Sequence, residues 1–168
     1  DFNAKQFHRF CDGKAPTITL IQTQFGNVFG AFTKIAWTSN TKWERDDDAF
    51  LFLLRSGKRD EYGKQTIACP QVFKCVKPVS AVRHAQNKGP CFGDGCDVNI
   101  IDKCNKDCGV YDYGRVSCCY NSSSGNCFAF KGDILCGGNA ASKDQKINND
   151  KVNMLFFRVI DYEVFQIH

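Results

Sequence analysis

Eleven cysteines in 168 residues, ten of them crowded between Cys69 and Cys136, constrain this chain more than any other feature. Glutathione keeps such thiols reduced in a cytosol, so the density points to an oxidising compartment and to a secreted, disulfide-braced protein. The candidates for pairing are Cys11, Cys69, Cys75, Cys91, Cys96, Cys104, Cys108, Cys118, Cys119, Cys127 and Cys136. Zinc is the competing use of clustered cysteines. The spacings Cys69-x5-Cys75, Cys91-x4-Cys96 and Cys104-x3-Cys108 contain no CxxC pair, and only His8, His84 and His168 stand in support, a poor zinc signature. The count is odd, so one cysteine stays free or bonds a second molecule, which leaves room for a disulfide-linked homo-oligomer. The neighbours Cys118 and Cys119 reach different partners, because a bond between them needs a strained ring.

A chain of this length buries a sizeable core without cross-links, and no composition shift marks a second domain. The formal net charge is +4, but acidic residues are interspersed with basic ones and no run of five cations occurs, which argues against a nucleic-acid partner. No stretch of 18 apolar residues exists to span a membrane. The opening at Asp1, without Met or a hydrophobic leader, fits a processed secreted chain. Asn121-Ser122-Ser123 is an acceptor triplet for N-glycosylation, which suits the same route.

Local chemistry predicts one short helix and many strands. Asn3 is an N-cap, Gln6 holds the capping-box position, and Phe2 and Phe7 are placed for a hydrophobic staple, so a helix is expected over Ala4 to Cys11 with Gly13 ending it. Phe7, Phe10 and Cys11 define its docking face, with His8 beside them as a packed or solvent-facing residue. Thr17 to Thr23 and Val28 to Trp37 read as a hairpin about Gly26-Asn27. Ala49 to Leu54 is apolar on both faces, as a central strand is. Further strands are expected over Val72 to Val76, Ala81 to Ala85, Asp97 to Ile101, Cys127 to Lys131 and Met154 to Ile167, and a polar surface loop over Lys143 to Lys151. The class is mainly β (α+β): a β-sandwich of two antiparallel sheets flanked by one or two short helices.

The order of Phe7-His8, Cys11-Asp12-Gly13-Lys14, Gly26-Asn27-Val28-Phe29-Gly30-Ala31-Phe32 and Trp37-Thr38 resembles the TLDc domain. The likeness continues through Ala49 to Leu54, Gly89-Pro90-Cys91-Phe92-Gly93-Asp94-Gly95-Cys96-Asp97, Asp102-Lys103-Cys104-Asn105 and the closing Val159 to Phe165. It covers residues 1–168 as a single domain that lacks the first strand usual in the family. The resemblance implies a sandwich flanked by short helices. It also implies kinship with oxidation-resistance proteins and with regulators of the vacuolar proton pump, and no firmly attached reaction. Cys11 and Cys104 stand where the family often has cysteine; the other nine are additions.

Catalysis is not expected. His8, His84 and His168 stand in no GxSxG or papain-like context, and the carboxylates of Asp46-Asp47-Asp48 and Glu163 read as a solvated face. Asp94, Asp97 and Asp102 are the residues that would gather about a calcium ion if their loop folds back; no other cofactor is indicated. The functional expectation is a secreted, lectin-like binding module in defence, directed at a glycan or a cell-surface receptor. Flat aromatics and amides hold sugars, and Trp37, Trp43, Tyr111, Tyr113 and Asn121 are the candidate contacts, with Tyr62 and Tyr120 as further loop aromatics. The alternatives are a secreted toxin acting on a receptor and the family's oxidation-resistance or proton-pump regulatory role.

Overall fold

The computed structural model describes residues 2–57, 59–64, 70–94, 97–106, 108–111, 119–121, 143–147 and 150–168. Helix α1 (Ala4–Cys11) forms where the capping pattern predicts it. The Asn3 carboxamide accepts from the Gln6 amide at 2.8 Å, and Gly13, at φ +77°, turns the chain out of the helix. The buried face differs from the expected one. Ala4, Phe7 and His8 are buried, Cys11 is half-buried, and Phe10 is 65% exposed beneath the guanidinium of Arg9. Phe7 meets the Trp37 ring edge-on at 5.1 Å, and that contact sets the rotation of the helix on the sheets. Phe2 packs on Tyr162 at 5.8 Å, so the expected staple pair anchors the helix at two separate points of the body.

The antiparallel strands form two layers. The large sheet has the order β10-β5-β4-β2-β1-β13, built from β1 (Thr17–Thr23), β2 (Val28–Thr33), β4 (Phe50–Arg55), β5 (Gln71–Cys75), β10 (Tyr120–Asn121) and β13 (Val159–Gln166). The facing layer joins β3 (Trp43–Glu44), β6 (Val82–Arg83), β7 (Lys88–Phe92) and β8 (Val98–Ile101). Beside β8 runs β9 (Cys108–Tyr111), followed outward by β12 (Asp150–Phe157) and β11 (Lys143–Ile147). Thr17, Thr19, Ile21 and Thr23 alternate inward along β1, and Phe29, Ala31 and Thr33 along β2, the period-2 pattern of a sheet covered on one face. Leu51, Leu53 and Phe73 meet Phe92, Val98 and Ile100 in one core. Between the layers runs a chain of edge-on rings from Phe7 through Trp37 and Phe92 to Tyr120.

Several expectations are revised, and the strand expected over Val28 to Trp37 ends at Thr33. The run from Met154 to Ile167 is two strands in different sheets, divided at Arg158. The Arg158 carbonyl accepts from Gln24, its Nε bonds the Gln24 side chain at 2.9 Å, and the Val159 amide bonds Cys104 O at 3.1 Å. The expected loop at Lys143 to Lys151 is largely a ladder, Lys143 opposite Met154 and Ile147 opposite Asp150, formed by backbone pairing where no apolar alternation announces it. Ala81 to Ala85 shrinks to Val82–Arg83. Strand β7 was hidden by Gly89 and Pro90; its register with β8 shifts between Lys88 and Cys91, the kind of irregularity that accommodates proline in a sheet. The expected strand over Cys127 to Lys131 lies outside the described residues.

Candidate functional site

Two histidines come together at the end of the sandwich beside α1. His8 Nε2 lies 2.9 Å from the Ala85 carbonyl, and Nδ1 lies 2.8 Å from Asp12 Oδ1, one helical turn on. The other oxygen of Asp12 accepts from Ser39 Oγ at 2.6 Å. His84 is buried; its Nδ1 lies 2.6 Å from Thr38 Oγ1 and its ring leans on Trp37 at 5.6 Å. Among the described residues Nε2 of His84 has no hydrogen-bond partner. Burial holds the His84 pKa below its ordinary 6.5, opposed by the charges of Glu44 and Asp12, so its imidazole is neutral near pH 7. Ser39 bonds the carboxylate and not an imidazole, so Ser39, Asp12 and His8 do not form a nucleophile–base relay. The i,i+4 spacing of His8 and Asp12 was legible in the sequence; the approach of His84 from 76 positions away was not.

The carboxylates are equally committed. Asp46 is buried and accepts from Thr33 Oγ1 at 2.7 Å, from Lys34 N at 2.8 Å and from Asp48 N at 3.0 Å. Asp47 pairs with Arg45, whose hydrogen bond lowers its pKa, and Asp48 pairs with Lys34. Of the residues expected about calcium, Asp102 accepts from Ala4 N at 2.9 Å at the start of α1, and Asp97 accepts from Cys119 N at 3.2 Å. The Asp94 amide donates to Cys119 Sγ at 3.0 Å. Among the described residues no three His, Cys, Asp or Glu side chains are placed to hold a metal ion, so Asp94, Asp97 and Asp102 do not converge.

The aromatic sugar platform is corrected in the same way. Trp37 is 1% exposed and donates from Nε1 to Thr17 Oγ1 at 2.9 Å; it is a core residue. Tyr120 is also buried, its hydroxyl donating to Ala81 O at 2.6 Å. Trp43 is partly exposed, but the Arg83 guanidinium covers its ring at 5.2 Å. Tyr62 is exposed. Tyr111 pairs in β9 with Met154 and Asn121 in β10 with Lys74, while Tyr113 lies outside the described residues. Trp37 and Tyr120, being buried, offer no ring face to a sugar.

The cysteines that can be placed include thiols. Cys11, Cys75 and Cys119 are not in disulfides, which corrects the expectation at those three positions. Burial pushes the Cys11 thiol up to about 11, helped by Asp12, and pushes Cys119 up to about 11 as well. Burial also raises Cys75. Cys91 and Cys104 are buried in the core. Cys108 is placed on β9 by its backbone; Cys69, Cys96, Cys118, Cys127 and Cys136 lie outside the described residues.

An open groove of about 320 Å³ remains between α1 and the last strand, walled by Phe2, Gln6, Phe7, Phe10 and Cys11 on one side and by Asp161, Tyr162 and Val164 on the other. It lies along β13, the terminal strand of the large sheet. The sequence matches the TLDc domain family over residues 1–168. The chain belongs to the TLDc domain family. No curated protein matches it. Of the stretches that carried the resemblance, several build this TLDc domain near α1: the helix and its cap, the β1–β2 hairpin, Trp37, and strand β13. Among the described residues of the TLDc domain no helix is long and apolar enough to cross a membrane.

Proposed function

We propose that this TLDc domain is a non-catalytic protein-binding module of regulatory type. The observation that supports the reading is the groove between α1 and β13, a cleft of mixed character in which aromatic and aliphatic side chains stand beside Gln6 and Asp161, along the strand that ends the large sheet among the described residues. The residues best suited to chemistry are engaged in the framework: His8 between Asp12 and Ala85, His84 against Thr38 and Trp37, Asp46 beneath three donors. The glycan reading loses Trp37 and Tyr120, which are core residues, and the Arg83 guanidinium lies over the Trp43 ring.

Selection from a random displayed-peptide library against the folded domain tests this reading, run beside a broad glycan panel. Enrichment of related peptides with a silent glycan panel is the expected result. Glycan binding competed by a free sugar, or the absence of any enriched peptide, overturns it. Alkylation of the native protein followed by intact mass, with and without prior reduction, decides the setting. Mostly free thiols fit the family's intracellular role; a majority of blocked cysteines fits a secreted one.

A further inference from the structure

We propose that the open edge of β13 takes up an extended strand from a partner protein, one whose residues alternate between apolar and basic. The proposal rests on the protein-binding reading and names the partner's chemistry. The Ile167 amide donates to Pro16 O at 3.0 Å, and Thr17 lies opposite Gln166. In an antiparallel ladder the backbone groups of successive residues point alternately to the two sides of the strand. Residues 161, 163 and 165 therefore turn their N–H and C=O groups to β1, while Val164 and Gln166 turn theirs to the open edge. The order of the sheet ends at β13, and among the described residues its ladder partner is β1, while the Val159 amide at the start of the strand is taken by Cys104 O, so the open stretch of the edge lies beyond it, at Tyr162 to Gln166. An edge of this kind is a template for one more strand.

The side chains specify what that strand carries. Val164 faces inward beside the groove whose far wall is the exposed Phe10 ring, so inward apolar positions of an added strand meet Val164 and Phe10, with Gln6 and Asp161 also at the groove. Asp161 and Glu163 alternate with Tyr162 and Val164 and are exposed, Asp161 also reaching the rim of the groove, and neither is in an ion pair among the described residues. Lys or Arg at the outward positions of the added strand would stand across from these carboxylates, the favourable cross-strand pairing. The same two carboxylates disfavour a second copy of this chain as the occupant. Pairing β13 with its own copy brings Asp161 and Glu163 of both copies onto one face within cross-strand reach.

The test uses an eight-residue peptide of alternating valine and lysine, matched to the length of β13, and a second peptide with glutamate for lysine. Binding is followed by fluorescence anisotropy on the folded domain. The lysine peptide is expected to bind and the glutamate peptide not. The Val164→Pro variant, which removes an outward N–H and no bond to β1, weakens binding by about tenfold. The double variant Asp161→Lys, Glu163→Lys reverses the preference between the peptides. If Val164→Pro does not fold, the charge reversal decides alone. Absence of lysine-peptide binding overturns the proposal, as do equal binding of both peptides, affinity unchanged in the variants, and a concentration-dependent dimer abolished by Val164→Pro. Library peptides that bind regardless of these variants overturn the β13 assignment and leave the protein-binding reading standing. Failure of every peptide overturns both.

Discussion

The carboxylate of Asp102 accepts a hydrogen bond from the amide of Ala4 at 2.9 Å, so a residue 98 positions along the chain completes the first turn of α1. The free amides at a helix start favour a negative charge, and here Asn3 and Asp102 divide them. Lys103 N donates to Phe2 O at 2.7 Å and closes the same corner. Asp102→Ala should destabilise the domain by about 1 kcal/mol, read as a lower denaturant midpoint at unchanged slope. Calcium should leave the melting temperature unmoved; a rise with calcium that Asp102→Ala abolishes would restore the metal reading.

His84 makes stability depend on pH. Its folded pKa lies below the unfolded value of 6.5, chiefly through burial. Above 6.5 both states are neutral and the contribution is fully present; as pH falls below 6.5 the unfolded state takes up the proton first, and stability declines down to the folded pKa. Thermal melts between pH 7.5 and 5 should show this decline, and His84→Gln, which keeps a polar partner for Thr38, should flatten it. An unchanged slope in that variant would assign the effect to another group.

Cys11 and Cys119 should react slowly. With both thiols raised to about 11, the thiolate fraction at pH 7.5 is small, and Cys119 is buried as well. Iodoacetamide should label both faster in denaturant than in the folded protein, as followed by peptide mapping. Absence of labelling in denaturant until a reductant is added would place them in disulfides.

Gly30 has no room for a side chain. A Cβ there would lie 2.0 Å from Thr19 O and 2.6 Å from the Phe52 ring, which crosses over the glycine. Gly30→Ala must push β1 from β2 or displace Phe52, at a cost of ~3 kcal/mol. The neighbouring change Ala31→Gly removes only a buried methyl and should cost about 1 kcal/mol; an equal loss in the two variants would show that the space above Gly30 is not the cause.

Much of this domain was legible along the chain because the forces that decide it act between near neighbours. Asn3, Gln6 and Gly13 bounded α1, and Gly26-Asn27 placed the first hairpin, since capping and turn geometry depend on a few consecutive residues. Period-2 burial marked β1 and β2, and the doubly apolar run at Ala49 to Leu54 marked the strand that lies between β2 and β5. The i,i+4 spacing of His8 and Asp12 is equally local, a signal the sequence reading passed over, and the Ala85 carbonyl completes the part-buried bridge.

Alternation and the order of motifs thus determined the class and the family of this protein, while cysteine density raised an expectation of disulfides that Cys11, Cys75 and Cys119 do not meet. Tertiary structure decided which face of α1 is buried, that Trp37 and Tyr120 are core and not platform, that Asp102 caps a helix, and that β13 ends the large sheet beside a groove. Each of these depends on which distant segment arrives opposite a given side chain. A residue's own type and spacing do not encode that partner; the packing of the two layers supplies it.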